Sequence, residues 1–127
     1  LMSLDDSFTQ ADLQQFTGTT RWYRYPTGHL LTDGVKFLMD HGCAWIVDLV
    51  ISHQHVAKVR DEPMQFWTIT KHDDNSATAL CTDGDKGDGP VTLARQKILY
   101  TDMPVREIKL YRVNDGENKV LMVPSEY

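Results

Sequence analysis

The chain is 127 residues long, and 41% of them are hydrophobic, 24% charged and 9% aromatic. These proportions belong to an ordinary globular domain and exclude disordered, collagen-like and disulfide-framework chains. A chain of this length buries roughly two-thirds of the surface its unfolded form exposes, so one domain spanning residues 1–127 is expected, held together without metals or cross-links.

Charge and cysteine usage narrow the setting. Thirteen basic against eighteen acidic residues leave a net charge of −5, shared between the two halves. Duplex binding draws its affinity from clustered Lys and Arg, so nucleic acid is an unfavoured partner. Cys43 and Cys81 form no Cys-x-x-Cys pair, which argues for reduced thiols and against a zinc ribbon. Leu1 to Asp6 hold neither a positive segment nor an apolar run, so no secretion signal is read. The longest apolar stretch, Ala44 to Ile51, is interrupted by Asp48 and falls far short of the ~20 residues of a membrane span. A cytoplasmic protein without membrane association is the expectation.

In chain order, Thr9 and Asp12 form a helix-capping pair, with Phe8 and Leu13 positioned as a hydrophobic staple across it. That helix is expected to end at Gly18 in a left-handed turn. Arg21-Trp22-Tyr23-Arg24-Tyr25 reads as extended and stops at Pro26 and the Gly28 turn. Thr32-Asp33-Gly34 starts a second helix, whose Val35, Leu38, Met39 and Gly42 share one face. From Ala44 to about Val59 the spacing predicts an amphipathic helix with Ile46, Val50, His53 and Ala57 on one side and Asp48, Ser52 and His55 on the other. After Pro63 the period becomes two. Five strands are predicted: Met64 to Thr70, Ala77 to Cys81, Val91 to Tyr100, Glu107 to Val113, and Val120 to Val123. Their connectors are too short for helices, which predicts an α+β fold with N-terminal helices packed on one face of an antiparallel meander of four or five strands.

No constellation in the chain specifies a reaction. His53 and His55 are two apart and diverge by ~200° on a helix, too far to share a metal. Asp48, Ser52 and His55 have the letters of a hydrolase triad but lie along one helix ridge, where no base can reach a nucleophile beside an oxyanion donor. The Asp83 to Gly89 loop begins like a calcium loop, yet its twelfth position is Ala94 where a bidentate Glu is required. It reads as a hairpin turn. No metal and no cofactor are expected. Arg21, Trp22, Tyr23, Arg24 and Tyr25 concentrate the residue types of binding hot spots, and the bland alternative is that their rings belong to the core.

Phe16-Thr17-Gly18-Thr19, Thr32-Asp33-Gly34-Val35, Ser52-His53-Gln54, Tyr100-Thr101-Asp102 with Pro104, Ile108-Lys109-Leu110-Tyr111 and the final Pro124-Ser125-Glu126-Tyr127 together resemble an uncharacterised bacterial family. Its members are small single-domain proteins carried on plasmids, prophages and gene cassettes. The resemblance implies no activity and transfers no catalytic residue.

Three classes of function follow. The first is a non-catalytic domain that binds another protein, or a second copy of itself, through residues 21–25. The second is a small-ligand protein or enzyme with a pocket between helices and sheet lined by Trp45, His53, Trp67 and Tyr111. The third is a regulator of DNA, by charge mimicry or through a basic stripe of Arg95, Lys97, Arg106, Lys109 and Arg112 if their strands present them together. Val120 to Val123 is apolar throughout, so it should be an interior or partner-covered strand with Tyr127 anchored after it.

Overall fold

In the computed structural model, which describes residues 7–127, Thr9 caps α1 (Gln10–Gln14) and exchanges hydrogen bonds with Asp12 at both ends of the capping pair. Phe8 and Leu13 are both buried. The reading of Leu1 to Asp6 lies outside the described residues. α1 ends at Gln15, and Gly18 does not take the left-handed backbone expected of it. Packing of Phe16 on Phe37, with ring centres 5.3 Å apart, replaces the local cap.

β1 (Tyr23–Arg24) and β2 (Leu30–Leu31) precede α2 (Asp33–Leu38), whose Val35 amide donates to the Thr32 hydroxyl at 3.4 Å. A π-helical turn, Met39–Cys43, follows. Gly42 sits there at φ +86°, a left-handed conformation that glycine takes without steric cost. α3 (Ala44–Ser52) is then shorter than the periodicity implied. Ser52 bonds back to the Leu49 carbonyl at 2.7 Å, which competes with continued helix. Val56 is extended, so the segment breaks into a 3-10 turn, His53–His55, and α4 (Ala57–Arg60).

The five predicted strands all form: β3 (Met64–Lys71), β4 (Ala77–Thr82), β5 (Thr92–Ile98), β6 (Glu107–Asn114) and β7 (Lys119–Met122). The α+β class holds, but the expected meander does not. The sheet has seven strands in the order β1-β2-β7-β6-β3-β4-β5, and β2 runs parallel to β7. Among the described strands, β3-β4-β5 is the one run of three consecutive strands, with β1-β2 and β6-β7 as consecutive pairs. β6 crosses to the far side of β3 because its lead-in is tied across the end of the sheet. The Thr101 amide donates to the Asn75 carbonyl at 2.8 Å, and the Lys71 ammonium donates to the Met103 carbonyl at 2.9 Å. Nor do the helices form a leading block, since β1 and β2 lie between α1 and α2. β7 is interior, as its apolar run implied.

Period two sorts the central strands into two faces. On one, Gln65, Trp67 and Ile69 align with Arg112, Leu110 and Ile108, and all six are buried. Gln54 and His53 reach this face from the helical layer. The other face carries Phe66, Thr68 and Thr70 beside Tyr111, Lys109 and Glu107, none of them fully buried.

Buried polar groups on the covered face are costly and mostly paired. Gln54 and Gln65 exchange side-chain amide hydrogen bonds at 2.8 and 2.9 Å. Arg112, 1% exposed, donates to the Arg60 carbonyl at 3.2 Å, and its Nε has no partner. His29, at the start of β2, is also buried, with Nε2 unpartnered. Burial, with the charges of Arg112 and Lys119 nearby, pushes its pKa down to about 4. The unfolded imidazole titrates near 6.5, so below that pH the unfolded chain binds the proton the folded one refuses. Stability is therefore expected in full above about pH 6.5 and is lost progressively as the pH falls toward 4. Urea midpoints at several pH values test this: His29→Leu should flatten that part of the profile, and an identical slope in both proteins would assign the loss elsewhere.

Candidate functional site

After the end of β5, two adjacent large hydrophobic side chains are exposed. Ile98 pairs with Ala77 in the ladder, and Thr101 is held by Asn75. Thr101 also accepts from the Met103 amide at 3.1 Å, and Met103 is 1% exposed. With anchors on both sides, the two intervening residues project outward: Leu99 is 83% exposed and Tyr100 69%. Tyr100, Ile98, Thr101 and Asp102, with Trp45 from α3, line an open notch of about 390 Å³.

The four residues expected to line a pocket divide. Trp45 reaches this notch. His53 lies nearby, its Nε2–H donating to Gln96 Oε1 of β5 at 2.7 Å, and its ring stands 5.4 Å from Trp67. Trp67 itself is 1% exposed, and its indole N–H is satisfied by Gln65. It is buried in the core beneath His53. Tyr111 is on the opposite face of the sheet, against Phe66 and Tyr127. The expected ligand chamber is corrected to a surface notch, because the period-two alternation sends Trp67 and Tyr111 to opposite sides.

Residues 21–25 divide by the same alternation. Tyr23 and Tyr25 pack against the core, with Tyr25 donating to Asp48 and Tyr23 under the Lys36 ammonium at 5.6 Å. The bond to Asp48 holds the Tyr25 phenol above its ordinary pKa. Arg21, Trp22 and Arg24 are exposed, so two of the five residues are structural and three are surface. The basic stripe is also incomplete: Arg95, Lys97 and Lys109 share the open face, Arg106 pairs with Asp73 at 2.8 Å, and Arg112 is buried on the other side.

The remaining polar groups have structural occupations. Among the described residues no group of three or more His, Cys, Asp or Glu side chains is placed to hold a metal. In the β4–β5 loop, Asp83 accepts from the Val91 amide at 2.9 Å and Asp85 from the Gly87 amide at 2.8 Å, so these carboxylates close the turn. Backbone bonds hold Asp83 below the usual carboxylate range. Cys43 and Cys81 are buried. Burial, with Glu62 nearby, raises the Cys81 thiol to about 12, leaving it protonated and unreactive. Among the described residues no helix is long and apolar enough to cross a membrane.

A second cleft, of about 250 Å³, lies between α1 and the C-terminal 3-10 turn, Pro124–Glu126, with Gln10, Gln14 and Lys109 on its walls. Glu107 and Ser125 also line it, and the Ser125 hydroxyl donates to the Leu13 carbonyl at 3.4 Å. Leu99 and Tyr100 were not singled out as a site in the sequence. The signal was there: two apolar residues at the end of a strand, followed at once by a turn that denies them cover.

A mixed seven-stranded α+β domain with an exposed apolar corner is thus the class that fold and site define. The chain belongs to the DUF6876 family, a family of unknown function, whose model matches residues 7–127. No curated protein and no solved structure matches it.

Proposed function

We propose that this domain is a non-catalytic protein-binding module that takes an extended segment of another protein along β5. The observation that carries the reading is the terminal strand itself. β5 runs for seven residues at the sheet edge, pairs among the described residues only with β4, and is followed by exposed Leu99 and Tyr100. An unpaired strand edge is a template for a further strand, and an adjoining apolar notch supplies the side-chain anchor such recognition uses. Exposed Trp22, just before the far edge strand β1, is a secondary surface of the same kind. Carriage on a bacterial mobile element, implied by the sequence resemblance, suits an accessory protein that works by occupying a partner.

Selection from a random peptide library on the immobilised domain tests the reading. Enriched peptides are expected to bind the free protein in solution and to lose at least tenfold in affinity for a Leu99→Asp, Tyr100→Ala variant. Both positions are exposed, so that variant should keep its stability within about 0.5 kcal/mol. Binding indifferent to the variant, or no enrichment at all, would remove the site.

A further inference from the structure

We infer that the segment received by β5 is acidic, carrying carboxylates at alternate positions opposite Arg95 and Lys97 and an apolar residue opposite Ile98. This rests on the strand-docking reading of β5 and names the chemistry of its partner.

The ladder determines which groups are on offer. β3 uses its odd-numbered residues toward β6, as the Lys71 amide to Arg106 carbonyl bond shows, and its even-numbered ones toward β4. Alternation then turns the odd-numbered residues of β4 toward β5, in agreement with the Asp83 amide to Val91 carbonyl bond. In β5, the partners of Ala79 and Ala77 are Gln96 and Ile98, so the backbone N–H and C=O groups of Arg95 and Lys97 face away from the sheet. The two residues present free backbone and positive charge at the same two positions. Both side chains are exposed, and no carboxylate of the described residues lies within ion-pair distance of either. Lys36, Lys86, Arg106 and Lys109, by contrast, each have a carboxylate partner.

That pattern rejects a second copy of the chain. In an antiparallel β5–β5 pairing around a twofold axis normal to the sheet, residues on the same face must oppose one another. The central registers then set Arg95 against Lys97, Arg95 against Arg95, or Lys97 against Lys97. Like charges directly opposite are destabilising, and cationic edge residues are a known guard against self-pairing. A strand with acidic residues at those positions turns the same charges into cross-strand pairs. Run antiparallel, it reads apolar, acidic, any, acidic, and its first residue falls opposite Ile98 beside the Trp45 and Tyr100 notch.

The probe is a fluorescent peptide of about twelve residues with a leucine-glutamate-threonine-glutamate core, compared with one in which both glutamates are lysine. Saturable binding of the acidic peptide is expected, weakened at least tenfold by Arg95→Glu with Lys97→Glu, while the lysine peptide gains affinity for that reversed variant. Amide exchange at residues 95 and 97 should slow when the acidic peptide is bound. Equal binding of both peptides, or binding without protection at those two amides, overturns the inference. So does preferential, salt-sensitive capture of an oligothymidylate, which would make the basic pair a phosphate contact. Library peptides that depend on Leu99 and Tyr100 but carry no acidic pattern would overturn it while leaving the protein-binding reading intact.

Discussion

Gln65→Leu is expected to destabilise the domain by about 3–5 kcal/mol, because each buried polar group left unpaired costs about 1–3 kcal/mol. Gln65 is 0% exposed, and its side chain serves three neighbours. Its Oε1 accepts from Gln54 and from the Trp67 indole, both at 2.9 Å, while its Nε2 donates to Gln54 at 2.8 Å and to the Val59 carbonyl at 2.7 Å. Leucine matches the volume but strands the indole N–H, part of the Gln54 amide and the Val59 carbonyl together. Adding Gln54→Leu removes the stranded Gln54 amide, at the loss of its 2.9 Å bond to the Val50 carbonyl, and the shared Gln54–Gln65 bonds are lost only once, so the double variant should lose less than the sum of the single losses. Urea denaturation of the four proteins completes the cycle. A single-variant loss below about 1 kcal/mol would show that the network relaxes or admits water.

Glu126→Ala should cost about 2–4 kcal/mol, from three broken charge-assisted hydrogen bonds, the one from Gly34 capping a helix. The C-terminal turn was expected to anchor through Tyr127, but that ring is 77% exposed and only leans on Tyr111 at 5.7 Å. The latch is its neighbour. Glu126 Oε1 accepts from the Thr32 hydroxyl at 2.6 Å and the Val123 amide at 3.1 Å, and Oε2 accepts from the Gly34 amide at 3.1 Å. A carboxylate from the far end of the chain thereby joins Thr32 in capping α2. Gly34 is the position that lets it approach: a β-carbon there would stand 2.7 Å from both Glu126 Oε1 and Val123 Cγ2. Tyr127→Ala should change the melting temperature little. A larger fall for Tyr127→Ala than for Glu126→Ala would reverse the assignment.

What was legible in the sequence was local. Thr9 and Thr32 announce their helices because cap chemistry lies within four residues, β3 to β6 announce themselves by period two, and β7 by its apolar run. β1 and β2 are two residues each, too short to show a period; β2 has β7 as its partner and β1 has β2. The crossing of β6 to β3 depends on Thr101 reaching Asn75, a contact between loops that no window contains. At the candidate site, Trp45 and His53 meet β5 at different points, Trp45 beside Ile98 and His53 at Gln96. Trp67 was near but buried, and Tyr111 was lost to the far face since strand parity had no reference until the pairing was known. Glu126 reads as an ordinary polar tail residue until Gly34 is set beside it.

The parallel pairing of β2 with β7 bears on how the protein comes into being. Leu31 pairs with Leu121, and the Thr32 amide bonds the Leu121 carbonyl at 3.2 Å, so the strand that receives the N-terminal segment is synthesised ninety residues after it. At about 5–20 residues per second, that is a delay of roughly 5–18 s. During it, Leu31 and the apolar face of α2 have no sheet to cover them, and the helix lacks its distal carboxylate. The β3-β4-β5 run needs only neighbours in sequence and can form while the nascent chain is still attached. Assembly on the ribosome should therefore begin in the middle of the sequence, leaving the first forty residues as clients for chaperones until β7 emerges.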